Sequence, residues 1–417
     1  MDTGTTAFML CCIIGLTLMI PGLALFYGGM VSVKSSTNMM MMTFGAVALV
    51  GVLWVLFGFS MVFGTSYGGF VGSFTEFAGM KDLVEPMTTV AGLPVSLFSV
   101  FQALFAAITV ALISGAVADR MKFGAWMVFA AAWAVLVYFP VAHWVFAFDG
   151  VVTENSVGGW IANKLHAIDF AGGTAVHINA GAAALAVAIV LGKSAMLGRL
   201  RKPHNVPLTL LGAGMLWAGW YAFNGGSALA AGNSAAIVMV TTFVATCAAT
   251  LAWIGVEKLK DGHVTGVGAA SGAITGLVAI TPACGAVTPI GAIFVGAIAG
   301  AICVYAVGFK EKLGYDDSLD VVGVHLVGGV VGTLLIGFFA SEGMPNATNG
   351  LFYGGGFDQL WKQAIAAGAV MAYSFAVAFA IAFVLKKTIG IRISPEEEEK
   401  GIDSTFHRDS AYELEFA

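Results

Sequence analysis

The sequence predicts an all-α polytopic membrane protein with eleven transmembrane helices, and three observations lead to that prediction. The chain is 59% hydrophobic and 10% charged over 417 residues, whereas soluble proteins are about 25% charged. Apolar runs of about 20 residues recur along the whole sequence, and each is long enough to cross the hydrocarbon core of a bilayer. The 55 glycines suit helices that pack closely within a membrane.

The apolar runs place the predicted helices in chain order. The first run extends from Phe8 to Met30, which is too long for the core of a signal peptide. The other ten helices are expected at residues 37–64, 96–118, 122–146, 167–192, 207–230, 233–256, 263–281, 286–309, 321–340 and 359–385. Residues 1–387 would therefore form the transmembrane domain, and residues 388–417 would form a polar, acidic tail.

Basic residues set the predicted orientation, because Lys and Arg accumulate in short cytoplasmic loops. If the N-terminus lies outside, the outer side holds Lys81, Lys164 and Lys362. The other sixteen of the 19 basic residues then fall on the inner side: Lys34, Arg120, Lys122, Lys193, Arg199, Arg201, Lys202, Lys258, Lys260, Lys310, Lys312, Lys386, Lys387, Arg392, Lys400 and Arg408. The sequence thus predicts an outside N-terminus and an inside C-terminus.

Two short motifs indicate an internal repeat. Val-His followed by a glycine four residues after the histidine occurs at His177 in helix five and at His325 in helix ten. A Phe-x-Gly-Gly motif begins at Phe26 in helix one and at Phe223 in helix six. Five helices separate the members of each pair, and an odd number inverts topology. We therefore predict inverted repeats of helices 1–5 and 6–10 plus one additional helix, an architecture typical of transporters with a site near the bilayer midplane.

His177 and His325 would meet where the two repeats face each other. Burial disfavours a charged imidazole, so each ring is expected to be neutral, with one donor and one acceptor nitrogen. Such a lining suits ammonia, water or a relayed proton. The alternative interpretation of each residue is a core histidine that is hydrogen-bonded to a backbone carbonyl.

Two aspartates near these histidines also have alternative interpretations. Asp169 lies eight residues before His177, and ionisable groups at membrane depth usually serve function. It could support a cation at the outer side, or it could accept hydrogen bonds from backbone N–H groups of the turn at residues 172–174. Asp320, five residues before His325, is predicted to be a solvated helix N-cap.

The sequence gives no sign of an enzyme, a cofactor or a nucleic-acid partner. We find no nucleophile–base motif and no HExxH pattern, and the net charge is only −5. A metal transporter using Asp169, His177 and His325 would have suitable ligand types, but it would lack the carboxylate-rich lining that divalent cations need. The cysteines are predicted to be small buried residues rather than disulfides or zinc ligands; they are Cys11, Cys12, Cys247, Cys284 and Cys303.

Several stretches closely resemble the Amt/Mep/Rh ammonium transporter family, and its bacterial Amt branch in particular. They are Phe26-Tyr-Gly-Gly29, Phe101-Gln-Ala-Leu-Phe105, Ser114-Gly-Ala-Val-Ala-Asp-Arg120, Asp169 to Gly181, Trp220-Tyr-Ala-Phe-Asn-Gly-Gly-Ser227, Asp320-Val-Val-Gly-Val-His325 and the Glu-rich tail. The resemblance covers the chain from end to end. It implies a homotrimer in the cell membrane, with a hydrophobic pore through each protomer and ammonium or ammonia as the substrate.

The resemblance also implies roles for individual residues. Phe105 and Phe223 resemble the stacked aromatic gate with Phe101 above it, and His177 and His325 resemble the twin pore histidines. The outer ammonium site would be formed by Ser227 and Ala171, supported by Asp169, with Trp220 and Asn224 beside it. Where many members of the family have a tryptophan, this chain has Phe146, a weaker partner for a cation.

The resemblance predicts that ammonium is recruited at the outer side, deprotonated and conducted as ammonia. A sensor of the same fold with little flux is an alternative, because Phe146 replaces the usual tryptophan. An electroneutral ammonia channel is another alternative. The tail is either a solvated cytoplasmic end or, as the resemblance implies, a regulatory segment that packs across subunits and helps to dock a PII-type regulator.

Overall fold

The computed structural model describes residues 1–81, 83, 89, 92–195 and 202–412, and these form a bundle of helices. Arg199 and Arg201, two of the basic residues predicted for the inner side, lie outside the described residues. The same holds for the last five residues of the tail, 413–417.

Ten helices of the described part are long and apolar enough to span a membrane. They are α1 (Thr3–Met30), α2 (Val33–Phe63), α3 (Val95–Val117), α4 (Phe123–Phe146), α5 (Gly173–Leu191), α6 (Val206–Gly226), α7 (Asn233–Asp261), α9 (Pro289–Ala306), α10 (Val322–Phe339) and α11 (Asp358–Thr388). The eighth predicted segment corresponds to α8 (Gly266–Ile280), which has 15 residues. At 1.5 Å per residue α8 is about 22 Å long, shorter than a hydrocarbon core of about 30 Å.

Each predicted segment coincides with a helix, and most ends agree within a few residues. The largest difference is at the fifth segment, which was predicted to begin at residue 167. Its helix begins at Gly173, because residues 167–172 form a turn in which Gly172 adopts φ +118°. That left-handed backbone conformation is open to glycine and costly for other residues.

The cysteine prediction is partly wrong. All five cysteines are free, and Cys12, Cys284 and Cys303 are buried as expected. Cys11, however, is exposed on the surface of α1, and Cys247 is half-buried on α7. The apolar surroundings in the sequence predicted burial for both, but a helix in a membrane also presents apolar residues on its outer face.

Helices α5 and α10, which carry the two histidines, cross closely at the centre of the bundle. Each begins with a wide helical turn, Gly173–Ile178 in α5 and Val322–Val327 in α10, whose i→i+5 hydrogen bonds often mark functional sites. A Cβ atom on Gly181 would lie 2.5 Å from the backbone nitrogen of Leu326. The repeated glycine is therefore what allows the two helices to approach each other at this point.

Part of the tail packs against its own chain, so the tail is not solvated along its whole length as one interpretation expected. Its short helix Pro395–Lys400 begins with a capping box of Ser394 and Glu397. Asp403, which is 1% exposed, accepts hydrogen bonds from the backbone N–H groups of Thr37 and Asn38 at 2.9 and 2.8 Å. Charge and polarity predicted a solvated segment, but these carboxylates are used to satisfy helix N-termini.

Candidate functional site

The two histidines of the repeat meet directly. The Nδ1 atoms of His177 and His325 lie 3.2 Å apart, and their rings are stacked with centroids at 5.3 Å. Both side chains are buried. One Nδ1 must donate a hydrogen bond and the other must accept it. Two neutral imidazoles satisfy this requirement, with one proton between the two Nδ1 atoms. The Nε2 atom of His177 is buried and has no hydrogen-bond partner within the described residues.

Asp169 holds the first turn of α5. One carboxylate oxygen accepts hydrogen bonds from the N–H groups of Gly172 and Gly173 at 2.8 and 2.6 Å. The other oxygen accepts from the N–H groups of Thr174 and Ala175 at 2.8 and 3.2 Å, and from the Thr174 hydroxyl. These hydrogen bonds are the ones expected if Asp169 has a structural role. The carboxylate is used to hold the backbone of this turn in place. A carboxylate at a helix N-terminus also complements the helix dipole.

Asp317, a residue that the sequence analysis did not single out, holds the first turn of α10. Its carboxylate accepts a hydrogen bond from the Val322 N–H at 2.7 Å. Asp320 directly precedes the helix and its carbonyl oxygen accepts from the Val324 N–H at 2.9 Å, but its carboxylate does not cap the helix as expected and instead pairs with Lys310 at 2.6 Å. A signal was available in the sequence, because Asp317 precedes His325 by eight residues, as Asp169 precedes His177.

The ion pair beside Asp317 sets the electrostatics at this end of α10. Burial and, to a smaller extent, the nearby charge of Asp320 raise the pKa of Asp317 to about 6, although Lys310 opposes the change. Burial also acts to lower the pKa of Lys310, but the charges of Asp320 and Asp317 outweigh it and raise that pKa overall. The Lys310 ammonium additionally donates to the Asp317 carbonyl oxygen at 3.0 Å.

A column of aromatic rings leads to the histidine pair. Phe146 meets Phe105 edge-on, with centroids 6.1 Å apart and planes at 85°. Phe105 and Phe223 are stacked at 4.0 Å with planes at 22°, and the Phe223 ring is 6.5 Å from that of His177. Phe105 and Phe223, the two residues expected to form a gate, are therefore in direct contact.

A small cavity, here called the pore cavity, adjoins the histidines. Its volume is about 10 Å³, about the space that one water needs. The lining is otherwise mostly aliphatic and aromatic: Met19, Leu23, Phe26, Ile108, Leu112, Val176, His177, Leu216, Trp220, Phe223, Ile274 and His325. Trp220 stacks on His177 at 5.4 Å and donates its N–H to the Thr281 hydroxyl at 2.8 Å, which fixes the indole against the imidazole.

A second cavity, the vestibule cavity, lies on the other side of the stacked phenylalanines. It has a volume of about 50 Å³ and is lined by Phe98, Gln102, Phe105, Phe146, Phe148, Val151, Phe170, Ser227 and Leu229. Phe146 and Ser227, both expected at an outer ammonium site, thus line the same cavity. Phe101, Ala171 and Asp169 are not in this lining: Phe101 packs behind Phe105 at 5.0 Å, and the two others belong to the turn before α5.

Asn224 and the possible metal ligands remain to be placed relative to the two cavities. Asn224 does not reach either cavity; its side-chain amide donates to the Thr242 hydroxyl at 3.0 Å. Within the described residues no group of three or more His, Cys, Asp or Glu side chains is arranged to hold a metal ion. The site is thus built from aromatic rings, two imidazoles and a few hydroxyl and amide groups.

The chain resembles known proteins over nearly its full length. A family model described as Ammonium Transporter Family matches residues 7–412. A protein named ammonium transporter from Mycobacterium bovis is 53% identical over 438 aligned residues, covering 100% of this chain and 91% of the relative. One of the same name from Bacillus subtilis is 44% identical and covers 99% of both chains.

Two solved structures show the same arrangement of helices. The crystal structure of Saccharomyces cerevisiae Mep2 is 32% identical, with a TM-score of 0.84 over 95% of this chain and 88% of Mep2. A structure described as Sensor Amt Protein is 29% identical, with a TM-score of 0.87 over 95% of this chain and 96% of that protein.

Proposed function

The chain belongs to the Ammonium Transporter Family, and on this premise we propose that it takes up ammonium at the vestibule cavity and conducts ammonia through the pore cavity. The observation that carries this proposal is the stacked pair of Phe105 and Phe223. Phe105 lines the vestibule cavity and Phe223 lines the pore cavity, so the pair separates the two. A solute must pass these rings before it reaches the histidines.

Selectivity follows from the cost of desolvation. Moving a small ion from water into a medium of low dielectric constant costs on the order of 20 kcal/mol in the idealised limit. Ammonium and potassium face a similar cost, but ammonium alone can avoid it by giving up a proton. A pore cavity of about 10 Å³ then has room for one ammonia molecule.

The residues of the pathway divide the work. Ser227 and Phe146 receive the cation in the vestibule cavity, and Asp169 contributes negative charge from the turn before α5. His177 and His325 then offer hydrogen bonds to ammonia beyond the phenylalanines, where His177 has an unpaired Nε2 atom. The proton leaves by a separate relay that includes the histidine pair, and ammonia is protonated again on the inner side.

The test is a rapid ammonium pulse on proteoliposomes that hold the purified protein, with current and internal pH recorded together and potassium as the comparison ion. We expect a saturable current with ammonium and none with potassium. Alkalinisation without current would instead indicate an electroneutral ammonia channel. His177→Ala should lose the ammonium current or admit potassium, and unchanged uptake with potassium still excluded would rule out the proposed role of the histidines.

An ammonium sensor with little flux is the second candidate function. It is favoured by Phe146 at the recruitment position and by the similarity to the structure described as Sensor Amt Protein. Silence in both current and internal pH, together with stabilisation of the purified protein by ammonium, would establish this second function in place of transport.

The chain is a multi-pass membrane protein, and we propose the finer arrangement that its family implies. Helix α8 would be an eleventh membrane helix, giving two inverted five-helix repeats plus α11, with the N-terminus outside the cell membrane. Three protomers would form a homotrimer with one pore each. A PII-type regulator would dock on the inner loops and tail, and its absence from pull-downs under nitrogen-replete conditions would contradict that part.

A further inference from the structure

Gln102 is a buried polar residue that the proposed pathway has not yet used. It lies on α3 between Phe101 and Phe105, its residue is 9% exposed, and it lines the vestibule cavity. Its side-chain amide is not among the fully buried polar groups of the described residues that lack a partner, because it faces the cavity. An amide that faces a cavity takes its hydrogen-bond partner from the water or solute there.

The chemistry of the cavity favours a small cation as that partner. Ser227 donates its hydroxyl hydrogen to the Phe223 carbonyl at 2.9 Å, which leaves the lone pairs of its oxygen free to accept. The amide oxygen of Gln102 is a second acceptor on the same lining. No acidic or basic side chain is among the described lining residues, whereas five phenylalanine rings are, and their faces attract cations and repel anions.

Phe148 adds an aromatic ring at the mouth of this cavity. Its backbone N–H donates to the Phe146 carbonyl at 3.1 Å, and Ala147 between them has φ −81° and ψ 89°, as in an inverse γ-turn. Both rings line the cavity, and Phe148 is 52% exposed. Asp149 holds the loop in place, because it accepts from the Gly158 N–H at 2.6 Å and its own N–H donates to Asn163 at 2.9 Å.

We propose that the amide oxygen of Gln102 is a direct ligand of the cation in the vestibule cavity, and that Phe148 supplies a second aromatic face beside Phe146. This inference rests on the proposed function and names the groups that set its affinity. The cavity has a volume of about 50 Å³, whereas one water needs roughly 10–15 Å³ by the same measure. It can therefore hold ammonium together with one water, or the larger cation methylammonium. Two aromatic faces then take the place of one tryptophan.

The test of Gln102 compares two substitutions of similar length, Gln102→Met and Gln102→Glu. The ammonium concentration that gives half-maximal current is measured in proteoliposomes, with methylammonium as a second substrate. Gln102→Met removes the acceptor and should raise this concentration about tenfold or more, the loss expected for one hydrogen bond to a charged group. Gln102→Glu retains an acceptor oxygen and should stay near or below the wild-type value. Val100→Ala on the exposed face of α3 is the control.

Two results would overturn the role of Gln102. One is a wild-type value in Gln102→Met, and the other is an equal loss in both variants, since that would mean that the side chain acts by shape alone. If the wild-type protein shows neither an ammonium current nor a change in internal pH, the proposed transport function fails, and the same comparison is made on the thermal stabilisation of each variant by ammonium. The expected order of the variants is the same in that assay.

The role of Phe148 is tested with Phe148→Leu, which keeps an apolar side chain but removes the aromatic face. The half-saturating concentrations of ammonium and methylammonium should both rise about two- to fivefold, as expected for one cation–π contact at an exposed site. Values equal to wild type would show that Phe148 only covers the cavity. Phe70→Leu, at an exposed phenylalanine outside the lining, is the matched control.

Discussion

Two buried aspartates hold the first turns of the two histidine helices, but they do so to different degrees. Asp169 accepts four backbone hydrogen bonds and one from a hydroxyl, so both of its oxygens are satisfied. Asp317 accepts one at Val322, and its Oδ1 atom has no partner within the described residues. Asp317 is therefore the carboxylate whose charge is less well compensated.

The stability of the protein should depend on the protonation of Asp317. Burial raises the pKa of this carboxyl from 3.8 to about 6. A raised pKa means that the folded state binds the proton more tightly, so the contribution to stability is complete below about pH 3.8 and is lost as the pH rises through about 6. Asp317→Asn keeps the acceptor for Val322 but cannot ionise. Relative to this variant, the wild-type melting temperature should fall between pH 4 and pH 7.

The measurement is the difference in melting temperature between wild type and Asp317→Asn in detergent at several pH values. Asp320→Asn is the comparison variant. It removes the carboxylate charge that pairs with Lys310, and that charge is one of the causes of the raised pKa of Asp317. A difference between wild type and Asp317→Asn that stays constant from pH 4 to pH 7 would contradict the assignment.

The sequence identified the histidine pair correctly as neighbours because its signal is local and repeated. Val-His with a later glycine recurs at His177 and His325, and this recurrence predicted that the two positions would meet. Asp317 was missed because Asp320 lies nearer to its histidine and an N-cap is assigned by sequence distance. The turn geometry that decides between two aspartates depends on φ and ψ at each residue, and Asp320 takes φ +62°.

At the scale of helices, the apolar runs predicted positions well and packing poorly. A run of about 20 apolar residues is sufficient to identify a membrane helix, because the bilayer requires it. The same run does not reveal a break such as the one before Gly173, where Asp169 satisfies the backbone of residues 172–175. The apolar run also does not predict which helix face is buried in the protein, because lipid and protein both accept apolar side chains. The exposed Cys11 is an example.

The close crossing of α5 and α10 should depend on Gly181. A Cβ atom there would lie 2.5 Å from the Leu326 backbone nitrogen and 2.6 Å from its Cβ, so Gly181→Ala must push the helices apart. We expect a loss of about 1–3 kcal/mol in the free energy of unfolding, as for other overpacked sites. The separation would also lengthen the contact between His177 and His325 and reduce ammonium flux.

The matched control is Gly255→Ala in α7, where an added Cβ would meet nothing within 4 Å. Alanine favours a helix over glycine by about 0.5–1 kcal/mol, so this variant should be as stable as wild type or more so, with unchanged flux. Thermal unfolding and proteoliposome flux on the two variants provide the comparison. Equal behaviour of Gly181→Ala and Gly255→Ala would mean that the crossing tolerates a wider spacing.

For the molecule as a whole, the tail connects loops that are distant in sequence. Ile391 and Ile393 exchange backbone hydrogen bonds with Lys122 and Arg120 at 2.9 and 3.0 Å, at the start of α4. Asp403 reaches the start of α2, and the Tyr412 hydroxyl accepts from the Asn205 side chain at 3.0 Å, next to the start of α6. Composition predicted none of these contacts, because they depend on where the helices end in space.

Asp403→Ala should therefore release the tail from the bundle. The substitution leaves the Thr37 and Asn38 N–H groups without their carboxylate, a loss of about 1–2 kcal/mol for a helix cap. Trypsin cleavage after Lys400 and Arg408 depends on the fraction of molecules in which the tail is released, and it should become about five- to thirtyfold faster.

Asp409→Ala is the control, since that carboxylate accepts from the adjacent Ser410 N–H. Equal cleavage rates in the two variants would show that Asp403 does not hold the tail, whereas faster cleavage with altered ammonium flux in Asp403→Ala would link tail docking to transport.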